Sequence, residues 1–457
     1  MYDYIIYGAG PCGLTLALNL GKKYKVLLVE KENNIGGCWR VEWQQDKYFT
    51  EHSPRVINDI LFKKNYFFKF LKDIDYDYKK DLVYTYGNIY QTNKKIIKFF
   101  IKYLSINDIK KLLLTKILKN TNKMTVTEWC KYNKISESGV KALGIFSILM
   151  ANSPDKLLMS ELTNIGGLNN FYQFNNNEKW LNIVKEKIDN NKNITLLLNS
   201  QLELLNVENN KIISANVSGR NKMVLILEGN KHVLCLPPIA FYNVVKKSKI
   251  IYNWPTINDW IIDSYYYSFG FQLHFKYNIN NNKIKEWCFL CHNDYNLIML
   301  PTSSYLDKFS YDNDVKTVWS LTIVDTSKYI NSVDKTVNEM TKDEIIDDIM
   351  NKLSEYIFID KDNIIVTIYD GVENINGEWT SKDSAFSLGK NGVINKKGII
   401  ENLYTIGSHN KKGITTINKA IKCGYEYLNE NNYNYKYKYI WIIIVLLVVF
   451  LSYRFLL

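Results

Sequence analysis

The chain has 457 residues, 46% hydrophobic, 14% aromatic and 23% charged, which excludes a disordered or collagen-like chain and a small disulfide-stapled scaffold. Its formal charge of +12 invites a nucleic-acid partner. The excess is local, however, with nine lysines and a single acid, Asp108, between Lys94 and Lys123, a net of +8. Those lysines are interleaved with IIKFFIKYL and KKLLLTKIL, the pattern of an amphipathic helix pair that suits a membrane surface or a solvated face better than a phosphodiester groove. No nucleic-acid partner is expected. Seven cysteines without a repeated spacing fit a reducing compartment, and no metal site is expected.

The first thirty residues carry the strongest chemical signal. YDYIIY reads as a buried strand, GAGPCG places Gly8, Gly10 and Gly13 in G-x-G-x-x-G spacing around Pro11 and Cys12, LTLALNL continues as a helix, and KVLLVE is a second strand. Gly8 permits the turn, Gly10 lets backbone approach a pyrophosphate, and Gly13 allows close packing of helix on strand. The helix N-terminus offers N–H groups and partial positive charge to phosphates. Glu30, followed by Lys31, closes the second strand, where a carboxylate accepts from ribose hydroxyls. The strand begins at the first residues, which leaves no room for a signal peptide.

NNIGGCWRVEW follows, with the doublet Gly36-Gly37 and then Arg40 and Arg55, two of only four arginines in the chain. A guanidinium fork suits phosphate and carbonyl oxygens in ways a lysine does not. Residues 58–165 are helical in pattern. Further on come GGLNNFYQF, a helix EKWLNIVKEKI, strands through Leu202, and KHVLCLPPIAFYNVV with its Pro237-Pro238 pair. In SYYYSFGFQLHF, strand alternation puts Phe269, Phe271, Leu273 and Phe275 on one face and Gln272 and His274 on the other, so these two polar residues are candidates to line a substrate cavity. Cys288 and Cys291, in CFLC, would point to opposite faces of a strand. Trp379 precedes NLYTIGSHNKKGITTINKAIKCGYEYLN, a strand ending at Gly407 and Ser408 and then a helix that starts near Ile414, Thr415 and Thr416 and carries Ala420. Last, residues 431–439 read as a polar linker and 440–457 as an apolar run, IWIIIVLLVVFLSYRFLL, long enough at about 27 Å for a thin bilayer. Lys436 and Lys438 before it predict a single-pass tail anchor with the body facing the cytosol.

These motifs together resemble the FAD-binding flavoproteins that include the flavin amine oxidases, the carotenoid desaturases and protoporphyrinogen oxidase. The resemblance spans most of residues 1–430 and is thin between motifs. It implies FAD as cofactor, bound by Gly8, Gly10, Pro11, Cys12, Gly13, Glu30, Lys31, Gly36, Gly37, Arg40, Arg55, Leu202, Gly407, Ser408, Ile414, Thr415, Thr416 and Ala420. It also implies a Rossmann-type α/β domain (1–57, 166–262 and 360–430) interleaved with a mixed α+β substrate domain (58–165 and 263–359), to which the tail adds a C-terminal transmembrane helix. The implied activity is hydride transfer from an amine or apolar small molecule to flavin, with Trp379 beside the ring. Two positions depart from the family pattern: Cys38 stands where the family has arginine, and Ser408 where it has an acid. IGGCWR is also similar to an element of flavin-containing monooxygenases, but the second glycine fingerprint of those enzymes is missing. A non-redox FAD enzyme of the sugar-nucleotide mutase type and a non-catalytic protein of the same fold are the alternatives.

Overall fold

The computed structural model describes residues 1–51, 55, 57–58, 65–85, 88–89, 94–95, 103–118, 124–149, 152–164, 171–219, 224–258, 268–279, 290–292, 295–354, 361–369, 371–381, 393–411 and 416–430. Five short strands form a parallel sheet: β1 (Tyr2–Tyr7), β2 (Val26–Val29), β5 (Ile194–Leu197), β6 (Gly229–Leu234) and β11 (Leu403–Thr405), in the order β5-β2-β1-β6-β11. Such a sheet needs cover on both faces, which is why β1 and β2 are almost continuously apolar. Tyr4, Ile6, Val26 and Leu28 face a core shared with α1 (Pro11–Leu20), α2 (Tyr66–Asp73), α7 (Glu178–Asp189) and α10 (417–430). Ile5, Tyr7, Leu27 and Val29 face the opposite core, closed by α8 (Pro238–Lys247) and a three-stranded antiparallel sheet of Gln201–Glu208, Lys211–Ser218 and Val224–Leu227.

A second sheet is antiparallel. Its strands are β7 (Phe269–Phe275), β8 (Leu297–Leu300), β9 (Thr317–Ile323) and β10 (Ile364–Tyr369), with Leu290–His292 outside β8. The expected alternation holds in the described part of β7. Phe269, Phe271, Leu273 and Phe275 enter a core with α9 (Lys342–Ser354), together with Trp319, Ile345 and Ile349. The other face, with Gln272 and His274, is not a solvated wall: both are fully buried under the hairpin β3 (Val41–Gln44) and β4 (Tyr48–Glu51).

The helices α3 (Ile106–Leu118), α4 (Val126–Tyr132), α5 (Glu137–Leu149) and α6 (Met159–Asn164) form a separate small cluster around Trp129, Leu143 and Leu162. Thr125 and Glu128 close a capping box at the start of α4. Asp108 is buried where the starts of α3 and α5 meet, and there it accepts from the Ser105 and Ser136 hydroxyls at 2.7 and 2.6 Å and from both their backbone N–H groups.

Several expectations are corrected. Among the described residues no helix is long and apolar enough to cross a membrane. The transmembrane tail at 440–457, the linker at 431–439 and the start of the last motif at Ile414 and Thr415 lie outside the described residues. Among the described residues, then, nothing supports the tail anchor or the membrane-tethered body facing the cytosol. In the basic stretch α3 is described, and residues 96–102, where the first helix of the expected pair falls, lie outside the described residues. Helix α2, expected with the substrate segments, packs Phe67, Phe68, Phe70 and Leu71 into the core of the parallel sheet. Strand β10, expected with the cofactor segments, pairs with β7 in the antiparallel sheet.

Burial by itself would raise the Asp108 pKa, but the hydrogen bonds from Ser136 and Ser105 outweigh it and hold the carboxyl below its usual range. Its stabilisation is thus complete above about pH 4 and fades as pH falls through the lowered value. We expect Asp108→Ala to cost about 2 kcal/mol at neutral pH and less in acid, since hydrogen bonds to a charged group are lost. Urea unfolding at the two pH values measures this, and unchanged midpoints at neutral pH would refute it.

Candidate functional site

The carboxyl ends of the parallel strands meet at one place. From β1 the chain passes to β2 and β5 on one side of the sheet, while β6 and β11 lie on the other, so the switch point is between β1 and β6, where open α/β sheets bind ligands. Gly8 follows β1, Glu30 follows β2, Cys235 follows β6 and Gly407 follows β11 shortly after Thr405.

Close backbone approach governs this point. A Cβ on Gly13 would stand 1.9 Å from the Gly8 carbonyl oxygen, and one on Gly8, which has φ of +100°, would stand 2.6 Å from the Cys235 carbonyl oxygen. Helix α1 is thereby pressed onto the crevice. Its N-cap is Gly10, with no side-chain cap and no acid in the first turn, and Pro11 at N1 has no N–H to satisfy. The amides of this first turn are a ready anion site. The doublet lies over it. A Cβ on Gly37, at φ +55°, would come within 3.0 Å of the Gly10 Cα, and the Gly36 N–H donates to the Ala9 carbonyl at 2.9 Å. Glu30 is held from both sides, as Ala9 N–H donates to Oε2 at 2.7 Å and Glu32 N–H to Oε1 at 3.1 Å.

The two arginines after the doublet are engaged by the protein itself. Buried Arg40 donates from Nε to Glu42 at 2.7 Å and lies 3.9 Å from Glu32. Arg55 donates to the Arg40 carbonyl at 2.6 Å, pairs with Glu51 at 3.5 Å and lies over the Trp39 ring. From Glu51 the contacts continue to the antiparallel sheet. Gln272 Nε2 donates to the Glu51 carbonyl at 2.8 Å, and the Thr50 hydroxyl donates to Gln272 Oε1. His274 packs against the Tyr48 ring, and burial lowers its pKa to about 4, so the imidazole is neutral at pH 7.

Other expected residues are placed differently. Trp379 donates from its indole to the Met340 carbonyl at 2.9 Å and packs edge-on to Phe269, on the far face of β7 from Gln272. Leu202 is buried two residues after Ser200, whose N–H donates to the Glu30 carbonyl at 2.8 Å. Lys31 and Cys38 are exposed, with Lys31 3.7 Å from Glu32. Ser408 opens a short turn in which Asn410 accepts from the Gly407 N–H at 2.8 Å. Thr416 accepts from the Lys419 N–H, and Ala420 packs on the helix core behind the glycine loop. A cleft of about 770 Å³ between residues 204–210 and the end of α8 shares none of these residues.

Three residues that sequence reasoning passed over join the site. Cys235 sits 3.9 Å from Cys12, Sγ to Sγ, and this contact, with burial, raises the Cys12 pKa well above the usual thiol value. His409 is buried, bonded to Thr405 at 2.7 Å and stacked on Phe241. Lys419 is buried in the first turn of α10. In a chain so rich in lysine, nothing in the sequence marks that one.

Residues 6–74 match the family of NAD(P)-binding Rossmann-like domains. A search of curated protein sequences gives no match. Among solved structures, the chain is similar to an oxidoreductase from Methanosarcina mazei (TM-score 0.64, 11% identity, 93% of this chain and 99% of that one). It is similar also to putrescine oxidase bound to putrescine (0.63, 11%, 94% and 98%) and to cyclohexylamine oxidase from Brevibacterium oxydans (0.60, 11%, 93% and 97%). The fold is that of the amine oxidases over nearly the whole chain.

The glycine contacts separate folding from binding. Gly10→Ala has 3.9 Å of room to the nearest heavy atom and ordinary backbone angles, so its stability should stay within about 0.5 kcal/mol of the parent. Its new methyl group would nonetheless occupy the approach to the first turn of α1 and weaken dinucleotide binding. Gly13→Ala should instead destabilise by more than about 3 kcal/mol, through overpacking against backbone that cannot yield. Thermal unfolding of both variants distinguishes them, and equal losses would contradict this division.

Proposed function

We propose that the chain is an FAD-dependent oxidoreductase that takes a hydride from an amine or an apolar small molecule. The observation that carries this reading is the double glycine cradle: the uncapped start of α1 under Gly8, Gly10 and Gly13, roofed by Gly36 and Gly37, with Glu30 at the end of the neighbouring strand. Its chemistry fits a dinucleotide. Backbone N–H groups at the helix start would hold the diphosphate, and Glu30 would accept from ribose hydroxyls. Gly10 and Gly37 keep side chains away from the approach. The amine oxidase fold supports FAD as that dinucleotide, as does the glycine doublet after β2.

FAD, when bound, supplies the acceptor for an electron pair and a proton removed from substrate carbon. The chain supplies orientation and exclusion of water. Arg55 fixes the carbonyl of Arg40, and Glu42 fixes its guanidinium, so the segment after the doublet is held in one geometry. Gln272 fastens β7 to β4, which ties the substrate-side sheet to the cofactor loop. His274, being neutral, shapes that wall without contributing charge.

The full chain is expected to purify with flavin absorbance, and its visible band should bleach without oxygen when a suitable primary amine or apolar substrate is added. A protein that stays colourless and takes up no added FAD would overturn the proposal. Flavin that bleaches only with dithionite would favour a non-redox or non-catalytic role. Glu30→Ala should weaken FAD binding by roughly tenfold or more through loss of a charge-assisted contact, read by flavin fluorescence on titration.

A further inference from the structure

Two cysteines from distant parts of the chain meet beside the glycine loop. Cys12 is the second residue of α1, and Cys235 follows β6 directly. Their sulfurs lie 3.9 Å apart, with the Cys235 thiol donating to the Cys12 sulfur, and the Cys12 thiol donates in turn to the Ile406 carbonyl at 3.4 Å. The backbones are close as well. A Cβ on Gly13, the neighbour of Cys12, would lie 3.5 Å from the Cys235 Cβ. The Cys235 N–H donates to the Tyr7 carbonyl at 2.8 Å, which holds that residue against the end of β1. An S–S bond is about 2.05 Å long, so the sulfurs must close by about 2 Å, within the reach of side-chain rotation between backbones this near.

We propose that Cys12 and Cys235 are an oxidation site, a dithiol that hydrogen peroxide converts to an intramolecular disulfide. Half-buried Cys235 is the more accessible of the two, since Cys12 is buried. The Cys235 sulfur attacks one peroxide oxygen. An S–O bond forms as the O–O bond breaks, and the departing hydroxide takes the thiol proton as water, leaving a sulfenic acid. The Cys12 sulfur then attacks the Cys235 sulfur. An S–S bond forms, the S–O bond breaks, and hydroxide leaves with the Cys12 proton as a second water. Two electrons pass from the sulfurs to the peroxide. In the reduced pair, contact with Cys235 and then burial keep the Cys12 thiol protonated, and the first step replaces the neighbouring thiol with an electrophilic sulfur.

Two other thiols are competitors. Cys423 of α10 is buried and lies within electrostatic reach of Cys12, and exposed Cys38 follows Gly37, which stands against Gly10. Cys235 is preferred because its sulfur touches that of Cys12 and is less buried than Cys423. A disulfide has no S–H, so on oxidation Cys12 stops donating to the Ile406 carbonyl after β11 and is bonded to the end of β6 instead. The modification therefore acts on the backbone meeting point that aims the first turn of α1. In a reducing compartment such a pair rests as thiols and closes only when peroxide rises.

The test is disulfide mapping of the full chain after a few equivalents of hydrogen peroxide. Remaining thiols are blocked with N-ethylmaleimide before tryptic digestion without reductant. Mass spectrometry should find the peptide of residues 1–22 joined to that of residues 232–246, each with a single cysteine, and dithiothreitol should separate them. On a non-reducing gel the oxidised chain should run as a monomer. Oxidation after unfolding in urea should scatter or abolish this pairing. Cys235→Ser should give no joined species and leave Cys12 blocked by the maleimide. Thermal unfolding controls for the folding of that variant, and mapping of the parent needs no variant. A parent with no joined species overturns the inference, as does Cys12 joined to Cys38 or Cys423, a link found only between two chains, or an equal yield from the unfolded chain.

Discussion

The contact of Gly13 with the Gly8 carbonyl, and of Gly8 with the Cys235 carbonyl, sets where everything else can be. It brings α1, β1 and β6 together backbone to backbone, with no side chain between. That distance aims the first turn of α1 at the switch point of the parallel sheet. It also lets Gly10 meet Gly37, so the loop after β2 closes over the same spot. One methyl group at Gly13 would push the helix away and move the helix start, the doublet and Glu30 relative to one another. The three fingerprint glycines therefore have different duties. Two are demanded by packing, and Gly10 alone is spared that demand.

From that point a chain of polar contacts leads into the second sheet. Arg40 and Arg55 are buried, paired with half-buried Glu42 and buried Glu51, an arrangement that costs desolvation and adds little net stability in general. Its value is positional. Arg55 joins a backbone carbonyl just after the doublet to a carboxylate at the end of β4, and Gln272 joins β4 to β7. The doublet loop and the antiparallel sheet thus meet through fixed hydrogen bonds as well as through apolar contact. Breaking one member would leave buried partners unsatisfied, which is how such a network specifies a single geometry.

Local spacing made the glycine cradle legible: strand, glycines, helix, strand and acid follow one another within thirty residues, and each has a local mechanical reason. The alternation in β7 was equally plain. What covers each face of β7 was not, because β4 lies more than two hundred residues away and its pairing leaves no local trace. The same limit explains α2 and β10. Their apolar patterns predict burial but not which sheet receives them. Trp379 shows another limit, since an aromatic residue before the last motif can serve a cofactor or a core, and its indole N–H bonds the Met340 carbonyl. In the tail, hydropathy alone suggested a span, and among the described residues no helix is long and apolar enough to provide one.

The charge balance of the site bears on what kind of chemistry it can support. Its two nearby imidazoles, His274 and His409, are both driven neutral by burial, to about 4 and about 3. Neither carries a proton to give at neutral pH, and both are packed against aromatic rings. The arginines are matched by carboxylates. Among the described residues, the site thus offers no protonated imidazole for acid–base catalysis at neutral pH. It is well equipped to hold an anionic dinucleotide and to present a dry, rigid wall beside it. That division of labour leaves chemistry to a bound cofactor and geometry to the chain.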